Sequence, residues 1–599
     1  MTKKIQRWHK LAKLPLVAAI AASVSTPVHA FQFYLGEIEG SLDTTLSAGA
    51  SWRVAKRDTN QLAQGNIAPG LKGSTVGSST NNADDGNWNF KRGETFSKIV
   101  KGTSDLSLSY DNYGAFVRGR YFYDFELMDE GRAKDNNGIS RPLNKKALDQ
   151  AGADIELMDA YVYGDFEIGD MPLNARLGRQ VVSWGESTFI QGGINTINPA
   201  DVSALRAPGA EIKDILLPVN MVYASLGVTT DISIEAFYQL EWEKTEIDPC
   251  GTFFSTLDFV ADGCGPVLLA GQNPDWEAYE SGLYVARLGD REPDDKGQYG
   301  IAVRWFTPGG TEFGFYHINY HSRLPVVSGI VATGPKDMPE YFIEFPEDIK
   351  LYGISFSTTA DSLGLSIGGE VSHRRGTPLS WNPFELIYGG VEGYQAMSKL
   401  YKARTGGAAP GALRGQEAQG WDRYNVTQAQ VTFIRFFEQI MGASRLSFVG
   451  EVGATYVHDL PGLDEAVYGR SSAFGIGYFE PVAGMSCETI NNNPKFCTKE
   501  GFTTSFSWGY RARFALDYND VFAGVNLTPM LSWSHDVKGY APEPGGAFVE
   551  GAKSVGLSVR AEYMNQYTAE VGYTNFFGGK PYNLMNDRDF VSASVSVSF

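Results

Sequence analysis

Four cysteines fall in two short-range pairs, Cys250 with Cys264 and Cys487 with Cys497, each inside a polar stretch rich in Gly or Asn. An even number in a chain that reaches an oxidising compartment points to two disulfide staples of surface loops. Zinc would need C-x-x-C spacing or a neighbouring His, and neither pair has one. Past residue 30 there are five histidines, His317, His321, His373, His458 and His535. His317 and His321 share one face of an expected strand, where four residues span about 13 Å, too far to share a metal ion. No G-x-S-x-G elbow stands beside a strand-to-helix turn. The expectation is a protein that is not an enzyme and carries neither metal nor cofactor.

Charged residues occupy alternate positions along extended stretches. Arg118, Arg120, Arg304, Arg374, Arg511, Arg513 and Arg560 share those positions with Glu235, Glu370, Glu451, Asp517 and Glu562. Inside a wide barrel, opposed charges of this kind set up a transverse field that orients polar solutes. The competing reading is that they pair on neighbouring strands and stiffen the wall.

The elements that must position these residues are strands. From Asp589 to Phe599 the alternation is strict: Val591, Ala593, Val595, Val597 and Phe599 on one face, Ser592, Ser594, Ser596 and Ser598 on the other. Strand side chains point to opposite faces with period two, so one face is apolar and the other small and polar. The same pattern recurs at 42–54, 115–125, 232–242, 506–518 and 554–563. Runs of about ten residues suit a tilted strand crossing a bilayer, whereas strands of soluble sandwiches are usually about 5–6 residues. Tyr, Trp and Phe gather at the run ends, among them Tyr110, Tyr113, Trp242, Trp305 and Tyr563, as at the two interfaces of a membrane barrel.

Short connections, such as Asp111-Asn112-Tyr113, Thr229-Thr230-Asp231, Asn519-Asp520 and Asn565-Gln566, alternate with long ones near 55–96, 128–154, 184–215, 243–297, 323–348, 375–423, 458–502, 535–552 and 577–588. Short inner turns and long outer loops characterise outer-membrane barrels. The reading is an all-β, closed, transmembrane antiparallel barrel of about 18 strands, with both termini in the periplasm. Closure requires the first strand, Ser41–Val54, to pair with the last, Asp589–Phe599, because an unpaired amide in hydrocarbon costs several kcal/mol.

Residues 1–30 read as a removable export signal. Lys3, Lys4, Arg7, Lys10 and Lys13 precede a short apolar stretch, Leu14–Val24, and Val28-His29-Ala30 has the small residues of a cleavage site. Cleavage after Ala30 leaves 31–599 as the barrel in the outer membrane. The formal charge is −18, which argues against nucleic acid as a partner. Phe599, with Val597 and Val595, resembles the recognition signal for the bacterial barrel-assembly machinery.

The segment 184–215 stands apart from the other long connections, because it is richer in Ile, Leu and Ala. Apolar content in a loop favours burial, and a barrel this wide offers its own interior. The reading is an inward-folded plug or constriction, with Trp184, Glu186, Asn195, Asn198, Asp201, Arg206 and Lys213 in the narrow zone. Arg118, Arg120, Arg511, Arg513 and Glu451 would line the adjoining lumen.

The stretch from Gly178-Arg179-Gln180 to Trp184-Gly185-Glu186-Ser187, followed by Asn195–Asp201 and Pro208-Gly209, resembles the domain of unknown function 1302 family. The early stretch Leu42–Trp52 is similar to that family's start. The resemblance covers essentially the whole chain after the leader. It implies an outer-membrane barrel of Gram-negative bacteria. It also implies a periplasmic partner of the unknown-function 1329 family and an inner-membrane transporter of the resistance-nodulation-division type. Together with the apolar inward loop, it gives the expectation of transport of hydrophobic or amphipathic molecules or lipids. The alternative is a diffusion porin for small polar solutes, motivated by the lumen charges.

Overall fold

The computed structural model describes residues 31–599 apart from 69, 70, 72, 134–139, 141, 211 and 270. The expected leader and its cleavage point lie outside the described residues. Eighteen antiparallel strands close into a ring. In chain order they are β1 (Ile38–Arg53), β2 (Thr95–Tyr110), β3 (Tyr113–Asp124), β4 (Ala153–Ile168), β5 (Met171–Gln180), β6 (Val219–Gly227), β7 (Ile232–Gln239), β8 (Tyr299–Phe306) and β9 (Glu312–Tyr320). They continue with β10 (Ile349–Ala360), β11 (Leu365–Ser380), β12 (Trp421–Glu438), β13 (Arg445–Val457), β14 (Phe506–Phe522), β15 (Val525–Lys538), β16 (Ala552–Tyr563), β17 (Tyr567–Gly578) and β18 (Phe590–Ser598).

Each strand pairs with its sequence neighbours, and β1 meets β18 from Thr45↔Ser598 to Arg53↔Phe590. Phe599 completes that seam: its N–H donates to Thr44 O at 2.9 Å and its carbonyl accepts from Thr44 N at 2.6 Å. A short arm, Phe31–Leu35, folds back on β1 from Phe31↔Leu42 to Leu35↔Ile38. It continues the line of β18 beyond the chain's end and keeps the edge of β1 paired there.

The outer wall is apolar. Val162, Leu177, Val222, Ile301, Ile354, Val371, Val452, Leu557, Val571 and Val595 are exposed. Bare aliphatic side chains around a whole ring require hydrocarbon, not water, as their solvent. Aromatics bound the band at the turn end (Tyr110, Tyr113, Trp305, Phe522, Tyr563) and at the loop end (Tyr238, Tyr299, Tyr352, Tyr456, Phe506). Among the described residues no helix is long and apolar enough to cross a membrane; strands make the crossing.

Two-residue hairpin turns of type I′ need positive φ at both positions. Met564-Asn565 supplies φ 57° and 57°. The turn expected at Asn519-Asp520 instead falls at Ala523-Gly524, with φ 50° and 81°. Asn519-Asp520 lies inside β14, where the register slips between Tyr518 and Phe522. The glycine takes the turn because it adopts positive φ without steric cost.

At the other end, long connections pack into a cap. A five-stranded sheet joins Val267–Leu268, Tyr284–Arg287, Glu340–Glu344, Val326–Ile330 and Glu417–Ala418. Trp242, expected on the aromatic girdle, has left the wall: β7 stops at Gln239, and Trp242 packs with Phe259, Val260, Tyr341 and Phe345 under the cap sheet. Both disulfides form in the cap, Cys250–Cys264 with Cα atoms 6.0 Å apart and Cys487–Cys497 at 5.7 Å.

Deleting Phe599 removes both backbone bonds to Thr44 and the last outward side chain of the seam. The expected outcome is that folded, heat-modifiable protein falls to a minor fraction, read by gel mobility of unheated membranes; unchanged levels would contradict this role of the C-terminal residue.

Candidate functional site

The connection between β5 and β6, residues 181–218, folds into the barrel and touches the wall on nearly every side. It has two lobes. Asn198 forms the waist: its Oδ1 accepts Val182 N at 2.9 Å, and its Nδ2 donates to Gln180 O at 3.1 Å and Leu217 O at 2.9 Å. One amide side chain thus ties the departing and returning chain together at the mouth of the loop.

The first lobe is apolar on one side and pinned by carboxylates on the other. Trp184, 1% exposed, packs with Val182, Ile194 and Ile197 against Met221, Phe237, Tyr316, Ile318 and Leu351 of the inner wall. Its indole N–H donates to Glu235 on β7 at 2.7 Å. Glu370 on β11 accepts the backbone N–H of Glu186 at 2.6 Å and of Ile194 at 2.9 Å. Glu451 on β13 accepts those of Thr188, Phe189 and Ile190 at 2.9, 2.7 and 2.7 Å. The two carboxylates take up backbone donors that would otherwise be buried without partners. A Cβ on Gly185 would stand 2.4 Å from Glu370 Oε2, and one on Gly193 1.8 Å from Oε1. The glycines after Trp184 and Gly192 therefore permit the close approach. Asn195 Nδ2 donates to Ser183 Oγ at 2.9 Å and so braces the lobe internally.

The second lobe is held by cations of β2 and β3. Asp201 caps the short helix Val202–Arg206 and accepts from Arg120 at 2.9 Å. Arg120 also meets Glu156 and donates to Asp214 O at 2.8 Å, while Lys101 reaches the Asp214 carboxylate at 2.7 Å. Arg206 pairs with Asp248 at 3.3 Å and lies over the Phe254 ring at 4.5 Å. Lys213 stands in the turn Ile212–Asp214. The tip reaches the closing seam, where a Cβ on Gly49 would meet Pro208 and one on Gly209 would meet Ser594. The serine face of β18 is small because this loop lies on it.

Glu451 on β13 and Arg511 on β14 stand directly opposite each other in register, with Arg513 two residues along β14, whereas Arg118 lies apart on β3. Arg118 forms a bidentate pair with Asp105 of the adjacent strand, both bonds 2.7 Å. Arg304 bridges Glu235 and Glu312, and Arg560 pairs with Glu570. These charges pair with side chains of neighbouring strands and brace the wall. Arg511 meets Asp536 at 2.6 Å and Ala547 O at 3.2 Å. Arg513 contacts the Met530 sulfur at 2.9 Å.

Two features escaped the sequence reading. The connection 539–551 also turns inward, with Phe548 and Ala541 packing on Ile190 of the first lobe. A cavity of about 90 Å³ lies between the second lobe, the inner wall and the cap. Phe96, Ile99, Phe122, Leu127, Phe253 and Phe254 form its apolar walls, and Lys101, Arg120, Arg206, Asp201, Asp214 and Asp248 its polar margin. Phe253-Phe254 is a visible sequence doublet, but nothing local tells that it reaches under the loop. None of the five histidines lines this cavity.

The family profile described as protein of unknown function (DUF1302) matches residues 11–599. The chain belongs to the DUF1302 family. No functionally curated protein matches the sequence. Among solved structures, the chain is similar to OccK1 (OpdK) of Pseudomonas aeruginosa, at 9% identity over 94% of this chain and 98% of that one, with a TM-score of 0.36. It is also similar to Acinetobacter baumannii OccAB1, at 10% identity over 94% and 96%, TM-score 0.38, and to a BenF-like porin from Pseudomonas fluorescens Pf-5, at 9% identity over 94% and 98%, TM-score 0.39. The functional reading of this DUF1302 barrel therefore rests on its own geometry.

The cap locks onto the second lobe through backbone bonds between Glu246 and Ala200 and Val202. Burial first, then the charges of Asp201 and Glu156, push the Glu246 carboxyl up to about 8 from its ordinary 4.5. A carboxyl raised in the folded state adds stability that is complete below its unfolded value and is lost as pH rises through the folded value. The protection factors of the amides at 243–248, corrected for intrinsic exchange, are expected to fall as pH rises from about 6 to 8 and to level off above that, and Glu246→Gln to flatten that fall. Separately, Glu451→Ala leaves three loop amides without their acceptor, at roughly 1–3 kcal/mol for each donor not rescued by water. Exchange protection at Thr188, Phe189 and Ile190 is expected to collapse while that of the barrel strands persists.

Proposed function

We propose that this protein carries hydrophobic or amphipathic molecules, lipids among them, across the outer membrane of a Gram-negative envelope. The observation that carries the reading is the apolar cavity held between the inward loop and the cap, inside a lumen that the loop spans from β13 to the β1–β18 seam. Phenylalanine walls with a charged margin suit a molecule that has an apolar body and a polar end. Trp184, Glu186, Asn195, Asn198, Asp201, Arg206 and Lys213 belong to the element that constricts the path. The wall charges that would attract polar solutes are largely engaged by neighbouring strands or by loop backbone.

The partners in this reading are the barrel-assembly machinery, which would recognise the end of β18, a periplasmic protein of the unknown-function 1329 family, and an inner-membrane transporter of the resistance-nodulation-division type. Family membership supports the last two, and the aromatic and aliphatic seam ending at Phe599 supports the first. A second reading, a diffusion porin for small polar solutes, is favoured by Arg176 and Arg513, which face the lumen and have no carboxylate within ion-pair distance among the described residues.

Planar-bilayer recordings separate the two. The expected result is small, infrequent conductance steps from the intact protein, which the double variant Glu370→Ala/Glu451→Ala enlarges by releasing the first lobe. Cells lacking the protein should lose uptake or export of an amphipathic probe and regain it on complementation. A large, steady salt conductance from the unmodified barrel would favour the diffusion porin instead.

A further inference from the structure

The lipid-facing wall carries a cluster of cations at one place only partly explained by the fold. Lys350 on β10 and Arg375 on β11 stand directly opposite each other in register. Both point outward, because their neighbours Leu351 and Ile349 on one strand and Arg374 on the other face the lumen. Like charges on directly opposed strand positions repel and destabilise the pair. On β2 and β5 the loop-end cations are matched, Lys98 with Glu126 at 2.9 Å and Arg179 with Glu241 at 3.3 Å; Lys553 at the loop end of β16 is unmatched among the described residues but stands opposite His535, not opposite a second Lys or Arg. Among the described residues, Lys350 and Arg375 have no carboxylate within ion-pair distance, in a chain whose net charge is −18. Of the nearby acids, Glu347 accepts Asp294 N and Asp348 accepts Asn319 Nδ2.

Beside this pair lies a second array of donors. Thr427 Oγ1 sits between two imidazoles, 2.9 Å from His373 Nδ1 and 2.8 Å from His458 Nε2. His373 is opposite Thr427 in register and two residues before Arg375 on the same face of β11. Arg423, on the same face of β12, is exposed and bonds the carbonyls of Gly376 and Glu347. All of these residues lie at the loop ends of β10–β13, directly past the exposed aliphatics Ile354, Val371 and Val452 and level with Tyr352 and Tyr456. That is the height of lipid headgroups, not of acyl chains.

We infer that this face is a binding site for the phosphate of an outer-leaflet glycolipid, with Lys350 and Arg375 clamping the anion and the His373–Thr427–His458 array contacting it from the side. An anion between the two opposed cations turns their repulsion into attraction, and guanidinium and ammonium donors to phosphate make the stronger class of hydrogen bond. The headgroup level fixes the source: an acyl-anchored phosphate lies at this height by construction. The leaflet assignment rests on the outer-membrane reading above; the binding itself does not depend on what the lumen carries.

The test is native mass spectrometry of the folded barrel in detergent, titrated with a bisphosphorylated glucosamine-disaccharide lipid or with the same lipid stripped of its phosphates. The unmodified protein is expected to retain the phosphorylated lipid and release the stripped one. Lys350→Gln/Arg375→Gln should weaken retention by about tenfold or more, the size of one or two lost charge-assisted bonds. Thermal unfolding gives a second readout: without lipid, Lys350→Gln should raise the midpoint by removing the repulsion, and with phosphorylated lipid it should lower it. Equal retention of both lipids, unchanged retention by the double variant, or a Lys350→Gln barrel less stable even without lipid would overturn the inference. Bilayer conductance of the double variant should match the unmodified protein, so failure here and failure of the transport reading are told apart.

Discussion

Inside hydrocarbon an unpaired peptide group has no water to turn to, and that single requirement shapes this chain from end to end. It forces β1 onto β18, holds the C-terminal residue against Thr44, and gives the Phe31–Leu35 arm a place along the remaining edge of β1. It closes the wall into a ring, here of eighteen strands, which is too wide for wall side chains to fill. The interior must then be occupied by something else, and the same rule applies again: whatever backbone enters must find partners for its amides.

The inward loop meets that condition with acids. Glu370 and Glu451 could have been free lumen charges; instead they accept five backbone N–H groups of a loop that comes from far along the chain. Glu235 takes the Trp184 indole, and Asn198 closes the loop at its base. Of the apolar residues that mark the segment in sequence, Trp184, Ile194 and Ile197 pack on the β6–β10 wall. Cation pairing with Lys101 and Arg120 does for the second lobe what the carboxylates do for the first. The outcome is a DUF1302 barrel whose lumen is crossed by ordered chain and whose remaining space is lined by phenylalanine under a cap.

The outer surface obeys the complementary rule. Facing acyl chains, it is aliphatic; at the headgroup level, it becomes aromatic and, on β10–β13, cationic. Inside, acids and cations of the wall hold the loop; outside, the cations of β10–β11 face the membrane side.

How much of this was legible beforehand follows from the range of each interaction. Period-two alternation, turn residues and the alternation of short and long connections are local, so the closed barrel and the inward course of 184–215 could be read from the chain alone. The turn assigned to Asn519-Asp520 fell instead at Ala523-Gly524: both sites offer turn formers, Gly524 takes positive φ without steric cost, and the pairing of β14 with β15 runs on to Phe522↔Val525. Trp242 read as a girdle residue, yet its burial under the cap depends on Phe259, Tyr341 and Phe345 arriving from distant segments. The same holds for Glu451: its spacing marks it as facing inward, but its three amide partners lie more than 260 residues away. Which face a side chain takes is set by the backbone period and is written in the sequence; what it meets there is set by which loops share the lumen, and only the closed ring decides that.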